Sequence, residues 1–259
     1  MLSSAEKLTI DGAAGRIEFA LDWPEQGAPR GIAYVGHPHP LYGGTLDNKV
    51  ASTMARTFAA LGWLAVRPNF RGVGRSEGAH DEGHGETEDF THLIDALPSL
   101  PALSGRVPAE LPLALAGFSF GSFVASRAAR TLAARHHPAR HLVLVGCAAG
   151  KWPMPEVRHD TLVIHGENDE TIPLADVFAW ARPQNLPVVV VPGADHFFHR
   201  RLPLLKTLIS AHILGMSAFD AAHQPPYQGQ STAHRRSDSS RGRDTSARAR
   251  WRAMRWTER

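Results

Sequence analysis

The chain has 259 residues, 43% hydrophobic and 8% aromatic, enough to bury one large core, so one α/β domain is the first expectation. Its single cysteine, Cys147, excludes an internal disulfide and a cysteine-built metal cluster, and suits a reducing compartment. The net charge of +3 hides an uneven spread, with nine Arg against three acidic residues from Ala221 on, and 19 Lys and Arg against 22 Asp and Glu in residues 1–220, so a basic groove for nucleic acid is not indicated in the folded part.

No apolar run is expected to reach the ~18 residues of a membrane span. Met1 to Glu6 lacks the basic start and apolar stretch of a secretion signal. The expectation is therefore a cytoplasmic protein without a transmembrane segment.

In chain order, short strands around Leu8 to Ile10 and over Arg16 to Leu21 read as an antiparallel hairpin at one sheet edge, with Gly12 as turn punctuation. Gly31 to Val35 reads as a buried strand running into the string His37, Pro38, His39, Pro40, Leu41, Tyr42, Gly43, Gly44, where a loop must begin. Val50, Met54, Phe58 and Leu61 then share a helix face that Gly62 ends. Trp63 to Val66 is the next strand, followed by the loop Asn69 to Ser76. A second helix carries Phe90, Leu93, Ile94 and Leu97 and is stopped by Pro98.

Leu111 to Ala116 reads as the next buried strand, giving way through Gly117, Phe118, Ser119, Phe120 and Gly121 to a helix expected from Ser122. A strand, a sharp turn with Ser at its tip and a helix make a nucleophile elbow: the turn strains the central residue, and flanking glycines remove side chains that would collide. Small residues on that helix (Ala125, Ala128, Ala129) let it lie close to a sheet. Leu142 to Val145, Thr161 to Ile164 and Pro187 to Val191 are further strands, and a closing helix places Leu204, Leu205, Leu208, Ile209 and Ile213 inward. The alternation predicts a mainly parallel sheet covered on both faces. Residues 220–259 hold no Leu, Ile, Val or Phe and read as an Arg-rich disordered tail to a domain of residues 1–219.

A Ser hydroxyl needs a base, and the base needs orienting. In such sheets the reacting groups sit at the carboxyl ends of strands. After Thr161 to Ile164 come Glu167, Asp169 and Glu170; Asp169 is the chosen orienter, with Glu167 and Glu170 as alternatives. After Pro187 to Val191 comes His196, the candidate general base. An oxyanion hole needs two backbone donors. One is the amide of Phe120. The other must come from the loop after Gly31 to Val35, where Pro38 and Pro40 have no N–H, leaving His39 as the choice and Leu41 in reserve.

Phe118, Leu41 and Tyr42 are the expected substrate contacts, Phe118 and Phe120 being equally readable as core aromatics. Arg71 reads as a structural ion pair. His37 and His39 with Asp81 and His84 lack the spacing of a specific metal site. Neither a metal nor another cofactor is expected.

The series HPHPLYGGTLDN, NFRGVGRSEG, GFSFG, HGENDETIP and GADHFF resembles the α/β-hydrolase superfamily over about residues 7 to 215, particularly small members near dienelactone hydrolases and esterases. The resemblance implies a serine hydrolase with nucleophile Ser119, acid Asp169, base His196 and hole amides from His39 and Phe120. Two features depart from it: dienelactone hydrolases use Cys where Ser119 stands, and the Arg-rich tail has no counterpart. The short Val145 to Ile164 connection predicts a minimal lid or none, hence esters of small to medium acyl groups. Thioesters, amides, acyl transfer and a non-catalytic binding role are the alternatives. The expected partner is a small-molecule ester.

Overall fold

The computed structural model describes residues 5–108 and 110–223. Strands β1 (Glu6–Gly12) and β2 (Gly15–Asp22) form the antiparallel hairpin, with Leu8 opposite Phe19 and Ile10 opposite Ile17. There follow β3 (Ile32–Gly36), α1 (Lys49–Ala60), β4 (Leu64–Pro68), α2 (His84–Ala96), β5 (Leu113–Phe118) and α3 (Phe120–Ala134). Then come β6 (His141–Val145), β7 (Leu162–Gly166), α4 (Leu174–Ala181), β8 (Val188–Val191) and α5 (Leu202–His223). One eight-stranded sheet runs in the order β1-β2-β4-β3-β5-β6-β7-β8, antiparallel where β2 meets β1 and β4, and parallel elsewhere.

Strand periodicity splits the core into two layers. Ile32, Tyr34, Leu113 and Leu115 point to the face covered by α2, α3 and α4. Ala33, Val35, Ala114 and Ala116 point to the face covered by α1 and α5. Small residues on the second face let α1 sit close, and Val50, Met54 and Phe58, the residues expected on its inner face, are fully buried. Asn48 caps α1, its side chain accepting from the amides of Val50 and Ala51.

Strand order reverses between β3 and β5: the chain leaves β3 toward β4 on one side and returns to β5 on the other. The loops after these neighbouring strands therefore diverge and leave a crevice at their carboxyl ends. His37 to Gly44 and Ser119 both lie there. The elbow helix begins at Phe120, not at Ser122, so no spacer separates Ser119 from it. Ser119 has φ 55° and ψ −123°, a conformation costing on the order of 1–3 kcal/mol.

Two regions depart from the sequence reading. Helix α4 was not expected; its eight residues are too few for a clear period, and only Val177 and Ala181 are buried. Within α5, Leu202–Phe219 has the length and composition of a membrane-crossing helix, which corrects the expectation that no run does. Leu205, Ile209 and Ile213 of that helix are fully buried in the core, while Leu204 and Leu214 are exposed. Helix α5 also runs to His223, four residues beyond the expected domain end, and residues 224–259 of the Arg-rich segment lie outside the described residues.

A Cβ on Gly121 would stand 2.3 Å from the carbonyl oxygen of Gly36, a backbone atom with no rotamer to escape into. Gly121→Ala is expected to cost about 3 kcal/mol. Gly215→Ala, which meets nothing within 4 Å on α5, should be neutral or stabilise by up to about 1 kcal/mol. Urea unfolding of both variants measures the contrast; equal stabilities would reject the close-approach argument.

Candidate active site

Ser119, Asp169 and His196, each about 5 to 8% exposed, are brought together from the ends of β5, β7 and β8. His196 Nε2 lies 3.0 Å from Ser119 Oγ, and His196 Nδ1 lies 2.7 Å from Asp169 Oδ2. An ionised carboxylate only accepts, so Nδ1 carries the ring proton and Nε2 is left with a lone pair facing the hydroxyl. The arrangement can therefore take the Ser119 proton onto Nε2 while Asp169 stabilises the imidazolium.

The loop of Asp169 is tied to itself: Oδ1 accepts from the amides of Thr171 at 2.9 Å and Ile172 at 2.8 Å. Burial pushes the Asp169 carboxyl up, but the His196 hydrogen bond, the Ile172 amide and the neighbouring imidazoles outweigh it and hold the pKa below its ordinary value. Glu167, one alternative acid, instead accepts the Gly193 amide at 2.8 Å, and Glu170 is exposed. Phe118, expected to line a substrate pocket, is fully buried, its ring 4.9 Å from that of His196. Its place is beneath the imidazole, inside the core, because the strand alternation turns position 118 away from the crevice.

The elbow is fastened on both sides. Ser119 donates its amide to Val145 O at 2.9 Å, and Ser122 Oγ donates to Ser119 O and accepts from the Ala148 amide. The Phe120 amide is among the first-turn donors that α3 itself leaves without a carbonyl. In the facing loop, His39 Nδ1 takes the Leu41 amide at 3.2 Å, which occupies the reserve donor, while no carbonyl among the described residues takes the His39 amide. Leu41 and Tyr42 stand 70% and 86% exposed beside it.

Several residues here went unassigned in the sequence reading. His37, set aside as a metal ligand, braces the two loops: its Nε2 accepts the Phe70 amide at 2.9 Å and its Nδ1 donates to Pro38 O at 2.6 Å. His80 donates from Nδ1 to Glu86, which is fully buried and also accepts the Asp81 and Gly83 amides at the start of α2. The rings of His39, His80, Phe120 and Trp152 pack together, His39 lying 4.7 Å from His80, 5.0 Å from Phe120 and 5.6 Å from Trp152. Burial first, and then His80, lowers the His39 pKa. The only sequence signal for this wall was the density of His and aromatic residues, which does not say which rings meet. Arg71 holds Asp89 with two hydrogen bonds, at 2.6 and 3.0 Å, as the ion-pair reading expects. The Cys147 thiol is fully buried, and burial pushes it up to about 12, far from a reactive thiolate.

Residues 59–175 match the family model described as a thioesterase domain. An α/β serine hydrolase without a lid from Xanthomonas campestris is 34% identical, the match covering 84% of this chain and 95% of that one, with a TM-score of 0.70. An α/β serine hydrolase homologue from Coxiella burnetii is 32% identical over 80% of this chain and 97% of its own, with a TM-score of 0.67. An uncharacterized protein of Rickettsia prowazekii is 28% identical over 227 residues, 80% of this chain and 88% of that protein.

Burial lowers the His37 pKa to about 3, against about 6.5 for an unfolded chain. Between those values the unfolded state binds a proton that the folded state refuses. Stability from this group is thus complete above about pH 6.5 and declines toward pH 3, by up to about 1.4 kcal/mol per pH unit. His37→Gln should show a shallower decline between pH 7 and 4 in urea unfolding; parallel curves would count against the buried neutral imidazole.

Proposed function

Because this chain belongs to the α/β serine hydrolases without a lid, we propose that it cleaves carboxylic esters of small to medium acyl groups through an acyl-enzyme on Ser119. The observation that carries this reading is the continuous hydrogen-bonded series from Ser119 Oγ through His196 to Asp169, at 3.0 and 2.7 Å. Oγ attacks the ester carbonyl as its proton passes to His196 Nε2. The oxyanion accepts from the amides of Phe120 and His39, each worth about 3 kcal/mol in the transition state. The imidazolium then protonates the departing alkoxide. A water activated by the same ring attacks the acyl carbonyl and returns Ser119 to its resting state.

The reading of modest substrate size rests on residues 146–161, which join β6 to β7 without a helix to fold over the crevice. Water then reaches the acyl-enzyme, and a long chain would lack apolar cover. Leu41 and Tyr42 are the proposed substrate contacts at the rim; the Phe118 ring serves His196 instead. We place the reaction in the cytoplasm, without metal or other cofactor.

A second reading, thioester cleavage, is favoured by the match of residues 59–175 to the thioesterase model. It uses the same atoms with a thiolate leaving group.

Ser119→Ala is expected to lower kcat/KM by roughly 10⁴-fold or more, with Asp169→Asn falling less steeply. Ester and thioester substrates of graded acyl length, run on the purified protein and each variant, measure this and rank the two readings. Undiminished turnover by Ser119→Ala would reject the nucleophile.

A further inference from the structure

His165, the last residue but one of β7, is a fully buried imidazole that the proposed reaction has not used. Its Nε2 lies 2.9 Å from Ile172 O. A carbonyl only accepts, so Nε2 carries the hydrogen and Nδ1 holds a lone pair. The same Nε2 is 3.3 Å from Asp169 Oδ2, the oxygen that accepts from His196. Ile172 closes the circuit, since its amide donates to Asp169 Oδ1 while its carbonyl takes His165.

Packing alone does not account for an imidazole at this position. Nδ1 is buried with no hydrogen-bond partner among the described residues, and an aliphatic side chain of similar size would avoid desolvating that nitrogen. The polar ring is explained by what its other nitrogen holds. Of the other acidic groups on these loops, Glu167 accepts the Gly193 amide, Asp195 is paired with His199, and Glu170 is exposed. The titratable groups facing the Asp169 carboxylate are thus His196, from the loop after β8, and His165, from β7. Ser119 lies beyond His196.

We propose that His165 is a positioning residue for the reaction: its Nε2, donating to Ile172 O and 3.3 Å from Asp169 Oδ2, holds the Ile172 backbone that grips Oδ1, places the positive edge of the ring beside the carboxylate that orients His196, and tempers the negative charge offered to that imidazole. The proposal rests on reading Ser119, His196 and Asp169 as the reacting series. Burial lowers the His165 pKa, which favours the neutral ring. Removing the donor leaves Oδ2 more negative toward His196, stabilises the imidazolium, and so moves the acid limb of the pH–rate profile to higher pH.

The test compares His165→Leu, which removes the donor, with His165→Gln, whose amide N–H can reach the position of Nε2. Ser119→Ala serves as control. Expected for the Leu variant are a kcat lower by roughly tenfold, a KM within about twofold, and an acid limb displaced upward by about half a pH unit. The Gln variant should recover most of both. A folded Leu variant with the parent kcat and pH profile would overturn the proposal, as would equal losses in Leu and Gln. Nitrogen-15 histidine spectra of the unaltered protein decide the matter if the Leu variant does not fold. A His165 ring protonated at Nε2 from pH 8 to 5 supports the assignment; one protonated at Nδ1 refutes it. Turnover retained by Ser119→Ala would remove the premise as well, and is told apart because that control does not touch His165.

Discussion

The close approach of the α3 N-terminus to the ends of β3 and β5 is the constraint from which the rest of the site follows. Gly36 and Gly117 face each other in the sheet, and Gly121 lies against them. A Cβ on Gly117 would meet the Gly121 carbonyl oxygen at 2.0 Å, so the helix can sit this near only where those side chains are missing. That nearness forces Ser119 into positive φ, presents its hydroxyl, and aims the first-turn amides of α3 toward the crevice. Strain of a few kcal/mol is held by the hydrogen bonds through Val145, Ser122 and Ala148.

Around that turn the protein holds its histidines in different ways, and the difference is one of partners. His196 is fixed by a carboxylate on one nitrogen and a hydroxyl on the other, and so can shuttle a proton. His37 has both nitrogens satisfied by backbone and is held neutral by burial, which makes it a brace between loops. His80 is locked to Glu86 within the start of α2. His165 donates to Ile172 O, with Asp169 Oδ2 3.3 Å from the same nitrogen. A residue type that is chemically versatile in isolation is thus narrowed to one task by what each ring nitrogen meets.

The openness of the site has a similarly simple origin. Between β6 and β7 the chain spans residues 146–161 with only a bridge between Ala149 and Trp152, and Trp152 is used against Phe120 and Phe123. This segment therefore supports the elbow rather than covering it. Membership in a lidless group of serine hydrolases and this connection describe the same physical fact.

Much of the fold was legible in the chain: alternation in Arg16 to Leu21 and short buried apolar runs elsewhere placed seven of the eight strands within a residue or two, and β1 more narrowly than observed, while the GFSFG turn located the helix that follows it. Helix α4 was not, because eight residues with two buried positions make too short a period. The span-length stretch in α5 was overlooked because it is broken by Lys206 and polar residues that a contiguous apolar run excludes. The order Ser119, Asp169, His196 could be read from strand ends, since local backbone chemistry and strand order decide which loops share a rim. What Phe118, His37, His80, Trp152 and His165 do was decided only by tertiary structure. Their types carry no address, and their tasks arise from contacts between segments far apart in sequence, made when the sheet closes its two layers.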